Sequence, residues 1–134
     1  MQFSFHIPLK VFSINQMSCR DQRFKTSEYK DYATEVLYRL DALKELQEMR
    51  LAFEESGGTF TVELTALYPP HVYYNKNCTI SAKTIDCSNF EKPVIDLIFG
   101  GTMNVNDKNI DCLISKKAAG ATYGLDVRIL LKGV

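Results

Sequence analysis

The chain predicts a single compact α/β (α+β) domain, in which a mixed four-stranded sheet carries two main helices in the order β-α-β-α-β-β. Three observations lead there. Apolar and polar residues alternate with a strand's period in several short stretches, and apolar residues recur at helical spacing in two longer ones. Glycine pairs and prolines fall between these stretches. The length, 134 residues, is that of one domain able to bury a core without a covalent staple. No repeat, low-complexity segment or linker divides it, so residues 1–134 read as one unit.

In the opening segment Phe3, Phe5, Ile7, Leu9 and Val11 alternate with Gln2, Ser4, His6 and Lys10, the pattern of a half-buried strand. The polar, basic stretch "SINQMSCRDQRFKT" reads as a loop. Ser27 is placed to cap a helix with Glu28 in its first turn. From there Tyr29, Ala33, Val36, Leu37, Leu40, Leu43 and Leu46 predict one long helix, stopped by "SGG" at 56–58. A second strand has Phe60, Val62, Leu64 and Ala66 on one face and Thr59, Thr61, Glu63 and Thr65 on the other, and ends at "YPP". "HVYYNKNCTISAKT" reads as irregular surface chain. A second helix follows, with Phe90, Val94, Leu97 and Ile98 as its apolar stripe and Gly100-Gly101 as its stop. "NIDCLISKKAA" and "YGLDVRILLK" are the last two strands.

Composition excludes several classes. Net charge is zero, which argues against a protein that coats nucleic acid indiscriminately. Apolar content of 46% and charged content of 24% suit a soluble globular domain, and no apolar run approaches membrane-spanning length. The N-terminal "MQFSFHIPLKVF" has no basic start, continuous apolar stretch or cleavage site, so no signal peptide and a cytoplasmic setting are expected. Cys19, Cys78, Cys87 and Cys112 lack zinc-site spacing and read as free thiols. Two histidines, His6 and His71, give a histidine-rich metal site or a Ser-His-Asp triad little to draw on.

The chemistry gathers in "TIDCSNFEKPVIDLIFGG". Asp86 precedes the second helix, Ser88 and Asn89 are capping types, Lys92 lies in the first turn, and Asp96 is four residues from Lys92. Downstream, "NVNDKNIDCLI" places Asp107 and Asp111 before and at the start of the third strand. Carboxylates that hold Mg²⁺ beside a lysine that offsets developing negative charge suit phosphodiester hydrolysis. The same residues are also those of a capped helix start with incidental charges.

These residues resemble the RusA-type Holliday-junction resolvases, whose pattern is approximately D-x-D-N-x-x-K-x-x-x-D, a short gap, and a D-D or N-D pair opening a strand. "SINQMSCRDQRFKTSEYKDY" is similar to that family's S-x-N, basic loop and K-T-x-E-Y stretch, so the resemblance runs from about Phe5 to Leu131. It implies a Mg²⁺-dependent endodeoxyribonuclease that cuts Holliday junctions and other branched DNA in paired fashion, as a homodimer; a preference for Mn²⁺ is one outcome that the missing carboxylate at Ser88 would have. A phage or prophage gene in a bacterial cytoplasm is the setting it implies. By position, Asp86, Lys92 and Asp107 match the catalytic residues, and Asp86 and Asp107 the metal ligands. Asn89 matches the motif asparagine, and Asp96 an aspartate of structural role. The departure is Ser88, which stands where the family carries its second aspartate, and Asn106 stands where some members have an acid. Asp111 or Glu63 is then the expected further carboxylate, with Ser88 and Asn89 in support. A degenerate, junction-binding dimer that does not cut is the alternative.

Further cations would meet DNA phosphates: Arg20, Arg23 and Lys25 in the basic loop, and Lys116 and Lys117 on the third strand. Paired lysines on an edge strand equally protect it from edge-to-edge pairing. Tyr73 and Tyr74 are candidates for stacking on unpaired bases, with loop packing the competing use.

Overall fold

Strand β2 (Thr59–Tyr68) sets the architecture, because it alternates buried and half-buried residues along its whole length. Phe60, Val62, Leu64, Ala66 and Tyr68 are fully buried. One face of the sheet is therefore covered by helices, and the other is open. In the computed structural model, which describes residues 1–16 and 25–133, β2 is joined by β1 (Gln2–Ile7), β3 (Ile110–Ala119) and β4 (Gly124–Lys132). The strand order is β1-β4-β2-β3. β4 runs antiparallel to β1 and β2, and β2 runs parallel to β3. This is the expected mixed four-stranded α+β sheet, and both β1 and β3 are edges.

The helical layer is more divided than its periodicity suggests. The expected long helix is two: α1 (Ser27–Asp41) and α2 (Lys44–Ser56). Buried Tyr29, Val36 and Leu40 lie along one stripe of α1, whereas Leu46 and Met49 lie along α2. On a straight helix at about 100° per residue those stripes would point roughly 120° apart. The break at Ala42–Leu43 lets both face the sheet. The cap of α1 lies one residue earlier than expected: Thr26 Oγ1 accepts the Tyr29 amide at 3.1 Å.

After β2 come a one-turn helix, α3 (Pro70–Tyr73), and a tight hairpin in which Tyr74 pairs with Ile80. The stretch expected to be irregular is thus hydrogen-bonded, with Asn75 N–H donating to Thr79 O at 2.8 Å and Ser81 N–H to Tyr73 O at 2.7 Å. The second helix opens with a 3₁₀ turn (Cys87–Asn89), continues as α4 (Glu91–Ile95), and becomes π-helical over Asp96–Met103. Gly100 and Gly101 do not stop it. Asn104 does, in the left-handed conformation at φ 54°. A Cβ on Gly101 would stand 3.0 Å from Leu37 Cδ2, so the glycine lets this helix pass close to α1. Phe99 then packs edge-on against Phe60 at 5.2 Å, fixing the π-helical segment over the start of β2. The Thr102 hydroxyl donates to Asp41 Oδ1 at 3.0 Å and ties the segment to the α1–α2 break.

Among the described residues no helix is long and apolar enough to cross a membrane. Cys78, Cys87 and Cys112 are free thiols. Cys19 and the candidate phosphate contacts Arg20 and Arg23 lie outside the described residues.

Candidate functional site

The loop that carries Asp86 is held from below. The Tyr68 hydroxyl accepts the Ile85 amide at 3.0 Å, and Thr84 Oγ1 receives Lys117 Nζ at 3.0 Å. Asp86 and Ser88 are consequently displayed on the surface, with Asn89 half-buried. Ser88 and Asn89 do not cap the helix as expected: no side chain caps α4, and Asn89 instead donates its backbone N–H to Asp86 O at 2.9 Å. Three residues further, Lys92 is exposed and pairs with Asp96, Nζ to Oδ2 at 3.0 Å, the spacing expected of a helical ion pair.

Asp96 touches more of this region than Lys92 alone. It is the first residue of the π-helical segment, a rare geometry that is frequent at functional sites. Its negative charge, after burial, pushes the Tyr29 phenol above its ordinary range. Tyr29 in turn lies beneath Lys25 Nζ, 5.6 Å from the ring centre. The chain folds back after Asn104, so that Asp96, Gly100 and Asp107 line one shallow concavity. Lys92 pairs with Asp96, and Asp96 shares this concavity with Asp107, while Lys25 lies over Tyr29 at the N-terminus of α1. Neither Tyr29 nor the convergence of Asp96 with Asp107 was legible from motif spacing; Tyr29 reads as a core residue of α1.

The other expected carboxylates point elsewhere. Asp111 accepts Lys132 Nζ at 2.9 Å on both oxygens and the Thr59 hydroxyl at 2.9 Å. Lys132 first, then Thr59, hold its carboxyl below the usual range. Lys117, which anchors the Asp86 loop, lies six residues along β3 from Asp111, about 20 Å at strand rise. Glu63 is taken by Lys116 at 2.7 Å, and Lys116 holds its carboxyl below the usual range, helped by the charge of Arg128. Asn106, in the position where an acid was conceivable, uses its side chain to accept the Lys108 amide at 2.9 Å and so starts the turn that carries Asp107.

A three-carboxylate metal cage of Asp86, Asp107 and Asp111 is not assembled. Among the described residues no three His, Cys, Asp or Glu side chains come together to hold a metal. What the geometry offers is a pair, Asp96 and Asp107, on an open concavity; Mg²⁺ is commonly bound by one or two carboxylates together with substrate phosphates. Lys116 pairs with Glu63 on an exposed part of β3, and Lys117 donates to Thr84. A roomier groove, lined by Phe5, Ile7, Tyr38 and Leu43, lies beside β1 and carries none of these groups.

No protein-family model matches the chain, and no curated protein matches it.

Proposed function

We propose that the chain is an endodeoxyribonuclease of the RusA resolvase type, acting on four-way junctions and other branched DNA as a homodimer. The observation that supports this most is the convergence of three motif residues: Lys92 pairs with Asp96, and Asp96 shares a concavity with Asp107. Lys92 supplies the positive charge for a phosphodiester oxygen, and its pair with Asp96 lies at the surface, the Lys92 side chain being 56% exposed. The two carboxylates would repel that phosphodiester unless a divalent cation bridged them, in keeping with the Mg²⁺ dependence the resemblance implies. The edge strand β3 exposes Leu113 and Ile114, an apolar edge suited to burial between two copies. Paired cuts on a two-fold substrate call for two such sites.

A second reading has its own support. Ser88 replaces a motif carboxylate, and Asp111 is held by Lys132 and Thr59. Both favour a dimer that binds junctions without cutting them.

Strand cleavage of a synthetic four-way junction in Mg²⁺ and in Mn²⁺, beside linear duplex, separates the two. Paired nicks near the crossover that vanish in Asp107→Asn, with binding retained, establish the nuclease. Tight junction binding without nicks in either metal establishes the binder. No preference for branched over linear DNA removes both.

A further inference from the structure

A ladder of tyrosine rings ends in open solvent beside the Asp86 loop. Tyr123 meets Tyr68 at 5.9 Å, Tyr68 meets Tyr73 at 6.4 Å, and Tyr73 stacks on Tyr74 at 4.8 Å with only 7° between the planes. The inner rings are fixed. Tyr68 is fully buried, and the Tyr73 hydroxyl donates to Lys117 O at 3.2 Å. The outermost ring is not covered: Tyr74 is 48% exposed, and its hairpin neighbour Ile80 is exposed as well. A flat aromatic surface is therefore held rigidly outward by a hydrogen-bonded hairpin.

Its surroundings are cationic. No acidic residue occurs between Glu63 and Asp86, or between Asp111 and Asp126, although the chain as a whole is neutral. These two stretches meet where Lys117 contacts Thr84 and Tyr73. Lys76, at the hairpin tip, and Lys83 are exposed and pair with no carboxylate among the described residues. Lys10 lies 5.4 Å above the Tyr123 ring at the far end of the ladder. A stacking ring flanked by unpaired lysines is the arrangement that receives single-stranded nucleic acid, bases on the aromatic and phosphates on the cations. An acidic protein surface would match the cations, but only a nucleobase also matches the flat open face of Tyr74.

We infer that Tyr74, backed by Tyr73 and flanked by Lys76 and Lys83, is a docking platform for an unpaired nucleotide of a DNA strand. The inference draws on the branched-DNA reading for the source of that nucleotide, and it places the crossover, where pairing is interrupted, against the hairpin Tyr74–Ile80.

The test uses the full chain, a labelled oligothymidylate, a fully paired duplex, and a junction with one unpaired 2-aminopurine at the crossover. The oligothymidylate binds, and the 2-aminopurine signal is quenched on junction binding. Tyr74→Ala weakens oligothymidylate binding roughly tenfold and removes the quench, while Tyr74→Phe preserves both. Independently, Lys76→Gln and Lys83→Gln each lower the slope of log affinity against log salt by about 0.7. Thermal melts of each variant establish that it is folded. Unchanged affinity and quench in Tyr74→Ala overturn the platform even if the junction is cut. A wild-type chain that cuts junctions but binds no oligothymidylate also overturns it, and leaves the nuclease reading intact. Tyr74-dependent binding of oligothymidylate without junction preference upholds the platform and removes the nuclease reading.

Discussion

Two glycines, one at the base of the sheet and one at the rim of the candidate site, have opposite outcomes when given a methyl group. Gly58 lies between α2 and β2 at φ +121°, and a Cβ there would clash with the backbone oxygen of Lys132. That oxygen belongs to the paired end of β4, opposite Thr59, and cannot swing away as a side chain would. Strained backbone costs about 1–3 kcal/mol and overpacking about as much again, so Gly58→Ala should lose roughly 4 kcal/mol. Gly100 has nothing within 4 Å of its Cβ position and adopts helical backbone. Gly100→Ala should therefore gain about 0.5–1 kcal/mol of helix propensity. At about 2.1 cal/mol/K per residue, each kcal/mol moves Tm by roughly 3.5 °C in a chain of this length. Differential scanning calorimetry should show Gly58→Ala melting about 14 °C lower and Gly100→Ala about 2–3 °C higher. Equal Tm values for Gly58→Ala and wild type would refute the close approach of β4 to the α2–β2 turn. A destabilised Gly100→Ala would refute the open helical position beside Asp96 and Asp107.

Three further perturbations bear on the site and its support. Phe99→Ala removes the ring that rests on Phe60 and should cost about 3–5 kcal/mol in denaturant unfolding with an unchanged m-value; a loss below 1 kcal/mol would mean the π-helical segment is not anchored there. Lys132→Met should raise the Asp111 pKa towards 3.8, read by carbon-detected NMR titration. Because the folded pKa is depressed, its stabilising contribution is present above 3.8 and lost as pH falls through the folded value, so the variant should lose that part of the acid dependence. An unmoved Asp111 would show that Lys132 is not its principal partner. Asp96→Asn should lower the Tyr29 pKa part of the way back by ultraviolet difference titration, since burial, the larger cause, stays in place. No movement would separate Asp96 from Tyr29 and break the continuity of the site.

The strands were legible because one covered face makes alternation obligatory, and β2 keeps it over all ten residues. The helices were harder for a physical reason. An apolar repeat declares that a helix buries something, but a shift of phase in the repeat can mean either a wide stripe or a break; between Leu40 and Leu46 it means a break. Thr26 and Ser27 are both capping types, and the extended backbone of Thr26, φ −68° and ψ 159°, decides between them. Gly100-Gly101 carries the composition of a helix stop, yet glycine serves equally where two helices approach closely. Leu37 at 3.0 Å from the Gly101 Cβ position shows which use prevailed.

The site exposes the limit of linear spacing most clearly. Motif order pairs Asp86 with Asp107, whereas a left-handed Asn104 and an Asn106 cap turn the chain back alongside the helix, so that Asp107 lines one concavity with Asp96. Asparagine tolerates the left-handed region better than other side-chain-bearing residues, and its short amide accepts a nearby backbone N–H readily. The two asparagines of "MNVND" therefore decide which carboxylates line the concavity together. Replacing Asn106 with an acid, as the family pattern would suggest, keeps a side chain able to accept the Lys108 amide and adds a negative charge beside Asp107. If this chain cuts DNA with Asp96 and Asp107, Asn106→Asp should preserve the fold and strengthen divalent-cation dependence. If the chain only binds junctions, the same change should weaken DNA binding by repulsion alone and bring no cleavage.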